Sequence, residues 1–218
     1  MKNLKNKSLN HYFLYVLSLG YLAAIFCSMK FLDKKIALSV MHFLRSSNIL
    51  FAASARIPDI LPQLVGIGTV AMWLAYYHLS RRLGHNEHLR FLQLAATALP
   101  VAFLFKAVLQ FAFGRINPRI WLATGKSLQF NWFQGSGAGF GYFPSGHMTV
   151  FIAFGTAACY AYPRYRLPVV LGMIMIGMAL IATDYHFLSD IIAGAYVGLL
   201  ATYILRHLLN RWHVKELQ

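Results

Sequence analysis

Apolar runs of about 20 residues recur along this chain, and lysines and arginines mark their ends. A helix needs about that length to cross the hydrocarbon core of a bilayer. Six such runs are read, at 12–32, 59–79, 91–113, 147–162, 167–184 and 188–208. Hydrophobic residues make up 58% of the 218 positions and charged residues 12%, whereas soluble domains carry about 45–50% and about 25%. The expectation is an all-α polytopic membrane helix bundle. It has six transmembrane helices in one integral-membrane domain over 1–218. Residues 36–52 are also apolar, but Arg45, Ser46, Ser47 and Asn48 interrupt them. They are read as a short interfacial amphipathic helix. The first run follows Lys2, Lys5 and Lys7 as a signal peptide would, but no small-x-small cleavage site closes it, so it is read as a retained span.

Lysine and arginine number 20 against 6 acidic residues, a formal net charge of +14. A nucleic-acid binder would gather its cations on a soluble face. Here they flank apolar runs, which excludes nucleic acid as the partner and points to membrane lipids and an anionic, lipid-like ligand. With the N-terminus in the cytoplasm, the inner segments hold Lys2, Lys5, Lys7, Arg81, Arg82, Arg90, Arg164, Arg166, Arg206, Arg211 and Lys215. The outer ones hold Lys30, Lys34, Lys35, Arg45, Arg56, Arg115, Arg119 and Lys126. Eleven against eight places both termini in the cytoplasm. Cys27 and Cys159 sit inside apolar runs, and two cysteines cannot make a Cys-type zinc site.

Three segments then meet at the outer boundary: 106–119, 143–147 and 184–194. Ionisable groups at such depth are costly and mark functional sites. His186 and Asp190 are spaced i,i+4 and share a helix face. A carboxylate on one ring nitrogen fixes the tautomer and frees the other to attack. The same Asp is also what a helix first turn favours. In Pro144-Ser145-Gly146-His147, serine can cap a helix and glycine lets backbone approach a ligand. The free N–H groups of that helix start suit a phosphate, and His147 could protonate a leaving oxygen. An ordinary cap would use the same residues. Arg115 suits bidentate phosphate binding, Lys106 stands within a span, and Gln110 lies one turn further on the same face. His11, His42, His78, His85, His88, His207 and His213 carry no such context. Asp184 is read as a cap of the sixth helix or a group facing the site, and Asp59 as a cap. The loop 114–146, with Gly125, Gly135, Gly137, Gly139 and Gly141, is long for a connection between spans, and long loops tend to be functional.

The run Phe143-Pro-Ser-Gly-His147 and the later Tyr185-His-Phe-Leu-Ser-Asp-Ile-Ile-Ala-Gly194 resemble the type 2 phosphatidic acid phosphatase (PAP2) superfamily. The resemblance covers about residues 106–194, and the distance from His147 to His186 suits it. It implies a phosphatase that uses neither metal nor cofactor and passes through a phosphohistidine. His186 would be the nucleophile, Asp190 its orienting group and His147 the acid. Ser145 and Gly146 would hold phosphate oxygens. Aligned on Pro118, Gln110 and Asn117 stand where the family's first motif has Lys and Arg, and Leu180 stands where its third motif has Arg. Arg115 matches an additional Gly-Arg of many members. Arg115 and Lys106, with Arg119, Gln110 and Asn117 nearby, are therefore the expected phosphate ligands.

The leading expectation is a lipid phosphatase of a bacterial inner membrane, its site facing the periplasm. Candidate substrates are phosphatidic acid, phosphatidylglycerol phosphate, a polyprenyl diphosphate and the phosphates of lipid A. The same histidine chemistry with a lipid acceptor would make a phosphotransferase. Without turnover, the chain would be a lipid-binding relative.

Overall fold

The computed structural model describes residues 2–46, 60–82, 86–125, 128, 130–133, 135 and 139–215. Among these residues the chain is helical with no strand, and one antiparallel bridge pairs Ile116 with Phe140. Helix α1 (Lys2–Cys27) runs through a single π-helical turn (Ser28–Leu32) into α2 (Asp33–Arg45). Then come α3 (Leu61–Ser80), α4 (Glu87–Phe113), the short α5 (Pro118–Thr124) and α6 (Gly146–Ala161). A 3-10 turn at Pro163–Tyr165 leads into α7 (Arg166–Ala182), and α8 (Leu188–Lys215) follows.

Four helical segments among the described residues are long and apolar enough to cross a bilayer: Leu14–Arg45, Glu87–Phe113, Pro163–Ala182 and Leu188–Asn210. They match the first, third, fifth and sixth expected runs. The fourth run forms α6, which is apolar but only 16 residues long. The second forms α3, where Pro62, Gln63 and His78 dilute the apolar character.

One expectation is corrected. The stretch from 36 is not a separate interfacial helix; up to Arg45 it continues the first helix through the π turn. No glycine or proline occurs between Cys27 and Arg45 to stop it. The charge that argues for a break, Asp33, is buried and paired. Residues 47–52 of that stretch, Asp59 and His85 lie outside the described residues.

Helix α6 is the centre of the bundle, packed against α8, α4 and α7. Leu61, Val65, Leu94, Leu99, Val150 and Ala157 form the core between α3, α4 and α6. Ala98, Ala102, Ala153 and Ala201 make a seam of small side chains between α4, α6 and α8, the composition that lets helices in lipid approach closely. Gly194 and Gly198 continue that seam along α8. A Cβ on Gly194 would stand 2.5 Å from the Ser145 carbonyl oxygen, and one on Gly198 would strike the Thr149 carbonyl. The consequence is functional. The helix starts that bear His147 and His186 are pressed together with no side chain between them.

Candidate active site

Local signals in the sequence set where each element stops. Gly114 closes α4 in the left-handed conformation, φ +52°, and a Cβ there would strike the Asn131 carbonyl. Asn117 caps α5, accepting from the Arg119 N–H at 2.8 Å, with Pro118 in the first turn. Ser145 caps α6, its Oγ accepting from the Met148 N–H at 3.3 Å. Its own N–H donates to the Asp190 carbonyl at 3.0 Å, which ties the start of α6 to the start of α8.

These ends surround a cavity of about 240 Å³ lined by Leu61, Lys106, Gln110, Phe140, Gly141, Tyr142, Gly146, His147, Tyr185 and His186. The rings of His147 and His186 both border it, inclined at 64° to each other with centroids 6.3 Å apart. The edge of Tyr185 packs on His147 at 5.3 Å, and Tyr142 packs on His186 at 5.7 Å. Lys106 Nζ donates to Gln110 Oε1 at 3.0 Å, and Gln110 Nε2 donates to the Pro144 carbonyl at 3.0 Å. The Lys106 side chain passes so close over Gly146 that a Cβ there would sit 3.2 Å from Nζ. Glycine at 146 therefore leaves room for a cation beside the helix start.

Behind the cavity lies a buried ionic network. Asp190 is fully buried, and its Oδ2 lies 3.6 Å from His186 Nδ1. Asp190 Oδ2 accepts from the Phe187 N–H at 2.9 Å, and Oδ1 accepts from Arg115 Nη1 at 2.6 Å. Arg115 Nη2 donates to Asp33 Oδ2 at 2.7 Å, and Nη1 also donates to Ser189 Oγ at 2.6 Å. The guanidinium lies 4.4 Å from the Phe187 ring centroid. Burial alone would lower the Arg115 pKa, but Asp190 and Asp33 outweigh it and hold the group above its ordinary value.

The site thus sorts the expected residues into two shells. Lys106, Gln110, Gly146, His147 and His186 line the cavity. Ser145, Asp190, Arg115 and Asn117 are buried behind it. Arg115, expected at the phosphate, does not line the cavity; its Nη groups bond to two carboxylates and a serine, and its Nε is buried with no hydrogen-bond partner. Asn117 is spent on its cap and on the Tyr185 carbonyl, 3.4 Å from Nδ2. Arg119 donates twice to the Thr183 carbonyl and lies over the Tyr185 ring. Asp184 neither caps α8 nor lines the cavity. It sits in the preceding turn at φ +49°, buried, with its pKa pushed up to about 7 by burial against a partial offset from Arg119. Among the described residues no three His, Cys, Asp or Glu side chains converge as a metal site requires.

Sequence reasoning passed over Asp33, Tyr142 and Tyr185. The signal for Asp33 was present: a chain with 6 acidic residues places one at the end of an apolar run, where an unpaired carboxylate is costly. Nothing local in the sequence marks Tyr142, and Tyr185 stood only as the first residue of the run to Gly194, with no role read for it.

Comparison with known proteins bears on the same residues. The chain is 35% identical over 102 residues to a Lipid A 1-phosphatase of Rhizobium etli, taking in 47% of this chain and 43% of that protein. It is 37% identical over 95 residues to a Lipid A 1-phosphatase of Rhizobium johnstonii, taking in 44% of this chain and 38% of that protein. The chain therefore spans less than half the length of either relative. No solved structure matches it. The PAP2 superfamily profile matches residues 90–213, more than half of the 218 and inclusive of Lys106, His147, His186 and Asp190, so the chain belongs to the PAP2 superfamily.

Proposed function

We propose that this chain is an integral-membrane phosphatase that removes phosphate from a lipid phosphate or diphosphate through a phosphohistidine. The observation that carries the reading is the pair of histidines bordering one cavity, with Lys106 on its wall and Asp190 behind His186.

His186 Nδ1 is buried against Asp190, so Nε2 is the nitrogen on the cavity side. At 3.6 Å the contact is longer than a hydrogen bond, and catalytic contacts that are long in the free protein often tighten when substrate is bound. His186 Nε2 attacks phosphorus, a P–N bond forms, and the P–O bond to the lipid breaks. His147 gives its proton to the departing lipid oxygen. Water then attacks the phosphohistidine with His147 taking a proton. Inorganic phosphate leaves and both histidines are restored. Lys106 and the first N–H groups of α6 stabilise the charge on the transferring phosphoryl group. Arg115 holds Asp190 from behind and does not touch phosphate.

The six apolar segments Leu14–Arg45, Leu61–Ser80, Glu87–Phe113, Gly146–Ala161, Pro163–Ala182 and Leu188–Asn210 serve as six crossings of a bacterial inner membrane. The lysine and arginine bias puts both termini in the cytoplasm and the cavity at the periplasmic face. A cavity at the ends of α4, α6 and α8 leaves the lipid tail in the bilayer while the head group reaches the histidines. Lipid A joins phosphatidic acid, phosphatidylglycerol phosphate and polyprenyl diphosphate as a substrate to be tested first, because the similar proteins are Lipid A 1-phosphatases.

The test is phosphate release from those four lipids by detergent-purified protein with EDTA present, for wild type and His186→Ala. The expected result is release that survives EDTA and disappears in the variant. Release that persists in His186→Ala, or that EDTA abolishes, refutes the proposal.

A further inference from the structure

The N-terminal helix contributes a carboxylate to the back of the site from far outside the matched segment 90–213. Asp33 is the first residue of α2, just after the π turn, and its side chain is fully buried. Single π turns inside helices recur at functional positions, because the extra residue re-aims a side chain. Asp33 Oδ2 accepts from Arg115 Nη2 at 2.7 Å and from Ser189 Oγ, and Oδ1 accepts from the Ser189 N–H at 3.0 Å.

The last contact completes a cap. The first helical residue of α8 is Leu188, so its N-cap position is Phe187, which has no side-chain acceptor. The N–H of Phe187 is taken by Asp190 Oδ2, the reciprocal half of a capping box. The N–H of Ser189, which a Ser or Asp at the cap would normally take, is taken by Asp33 from another helix. Asp33 therefore fixes the α8 start at two points, directly at Ser189 and through Arg115 at Asp190. The Asp190 carboxylate accepts from the Phe187 N–H at that helix start and from a guanidinium held by Asp33, while its backbone carbonyl accepts from Ser145 at the start of α6.

We infer that Asp33 is a positioning residue for the histidine reaction: by capping α8 in trans and clamping Arg115, it holds Asp190 where it can orient His186. The inference rests on the proposed phosphohistidine reading. Asp33 does not line the cavity, so its loss should act on turnover more than on substrate binding.

The test compares wild type, Asp33→Asn, Tyr196→Phe and His186→Ala, purified in detergent, on whichever of phosphatidic acid, phosphatidylglycerol phosphate, polyprenyl diphosphate and lipid A the wild type cleaves. Tyr196→Phe is the control for loosened docking of the N-terminal helix, because the Tyr196 hydroxyl donates to Ser18 Oγ at 3.0 Å on the same pair of helices. The expected result for Asp33→Asn is a kcat lower by about 10–100-fold with KM changed by less than about threefold. Tyr196→Phe should keep kcat near wild type. A kcat for Asp33→Asn within about twofold of wild type, or an equal kcat loss in Tyr196→Phe, overturns the inference. If Asp33→Asn does not fold, Ser189→Ala replaces it. That change removes the hydroxyl shared by Asp33 and Arg115 and should lower kcat by about fivefold or more, and an unchanged kcat overturns the inference. Activity in His186→Ala overturns the reaction itself, whereas a dead His186→Ala beside a normal Asp33→Asn overturns only the role of Asp33.

Discussion

Adding one methyl group at Gly194 should separate the starts of α6 and α8, beside which His147 and His186 stand. An ideal Cβ at that position lies 2.5 Å from the Ser145 carbonyl oxygen, 3.0 Å from Met148 Cβ and 3.3 Å from Ser145 Cβ. A normal carbon–oxygen contact is about 3.3–3.6 Å, so α6 and α8 must part by roughly 0.8–1.1 Å. Backbone cannot swing aside as a side chain would. Overpacking of this kind costs about 1–3 kcal/mol, and alanine's better helix propensity returns about 1 kcal/mol. The net expectation is a loss of about 0–2 kcal/mol. The effect on activity should be larger. The parting lies beside the Ser145 N–H bond to the Asp190 carbonyl, between His147 and His186, and misplacement by about 1 Å costs on the order of 100-fold in rate. Thermal unfolding in detergent and phosphate release on the same preparation measure both. Gly172→Ala is the control, because nothing lies within 4 Å of its Cβ. It should be neutral or slightly stabilising and fully active. A Gly194→Ala protein with wild-type kcat would refute the claim that this contact sets the spacing of the histidines.

Three further changes probe the charges. Arg115→Ala should destabilise the fold by about 3–5 kcal/mol, because it leaves Asp33 and Asp190 buried without their cation; a shift in melting temperature no larger than that of Gly172→Ala would contradict this. Lys106→Met should lower kcat/KM by roughly 10–100-fold, the worth of one charge-assisted hydrogen bond to phosphate; unchanged kinetics would remove Lys106 from the phosphate site. Asp184 has its folded pKa raised from 3.8 to about 7, so its contribution to stability is full below about pH 4 and is lost as pH rises through about 7. The whole difference is worth at most about 4 kcal/mol and is already net of the Arg119 attraction, so it is the upper bound on the gain for Asp184→Asn at pH 8, with solvent screening reducing it. That gain should vanish near pH 4, and a variant whose advantage over wild type is the same at both pH values would refute it.

The residues proposed for the reaction were more legible in the sequence than the residues packed behind them. His186 and Asp190 drew notice because i,i+4 spacing would put them on one helix face; in the structure His186 stands in the turn before α8, outside the helix, and its Nδ1 comes within 3.6 Å of Asp190 Oδ2. Ser145 was legible as a cap and caps α6, whereas Asn117, read as a phosphate ligand, turns out to cap α5. Arg115 was legible as a site residue but not in its direction. Whether a guanidinium faces substrate or carboxylate depends on Asp33, 82 residues away in the chain, and no local pattern carries that information. The boundary between the first helix and the stretch after it was misplaced for a related reason. Lys30, Asp33, Lys34 and Lys35 look like the end of a span, yet a helix passes through charge when the charge at its buried face is neutralised by a partner elsewhere in the fold.

The same separation of roles accounts for the positions where this chain departs from its superfamily. Gln110 stands where the first motif has lysine, and Lys106 lies one turn earlier on the same face. The structure places Lys106 and Gln110 on one cavity wall, joined by a 3.0 Å hydrogen bond, with Gln110 also bound to the Pro144 carbonyl. Gln110 thus anchors the 143–147 segment to α4, and the long flexible stem of the neighbouring lysine brings the charge forward. On the proposed reading, one motif position has become structural and its electrostatic task has moved back by a helical turn. Arg115 shows the converse. Its charge is spent on Asp33 and Asp190, which two buried acids require in any case. On that reading, one cation serves the phosphate while the other holds in place the carboxylate behind His186.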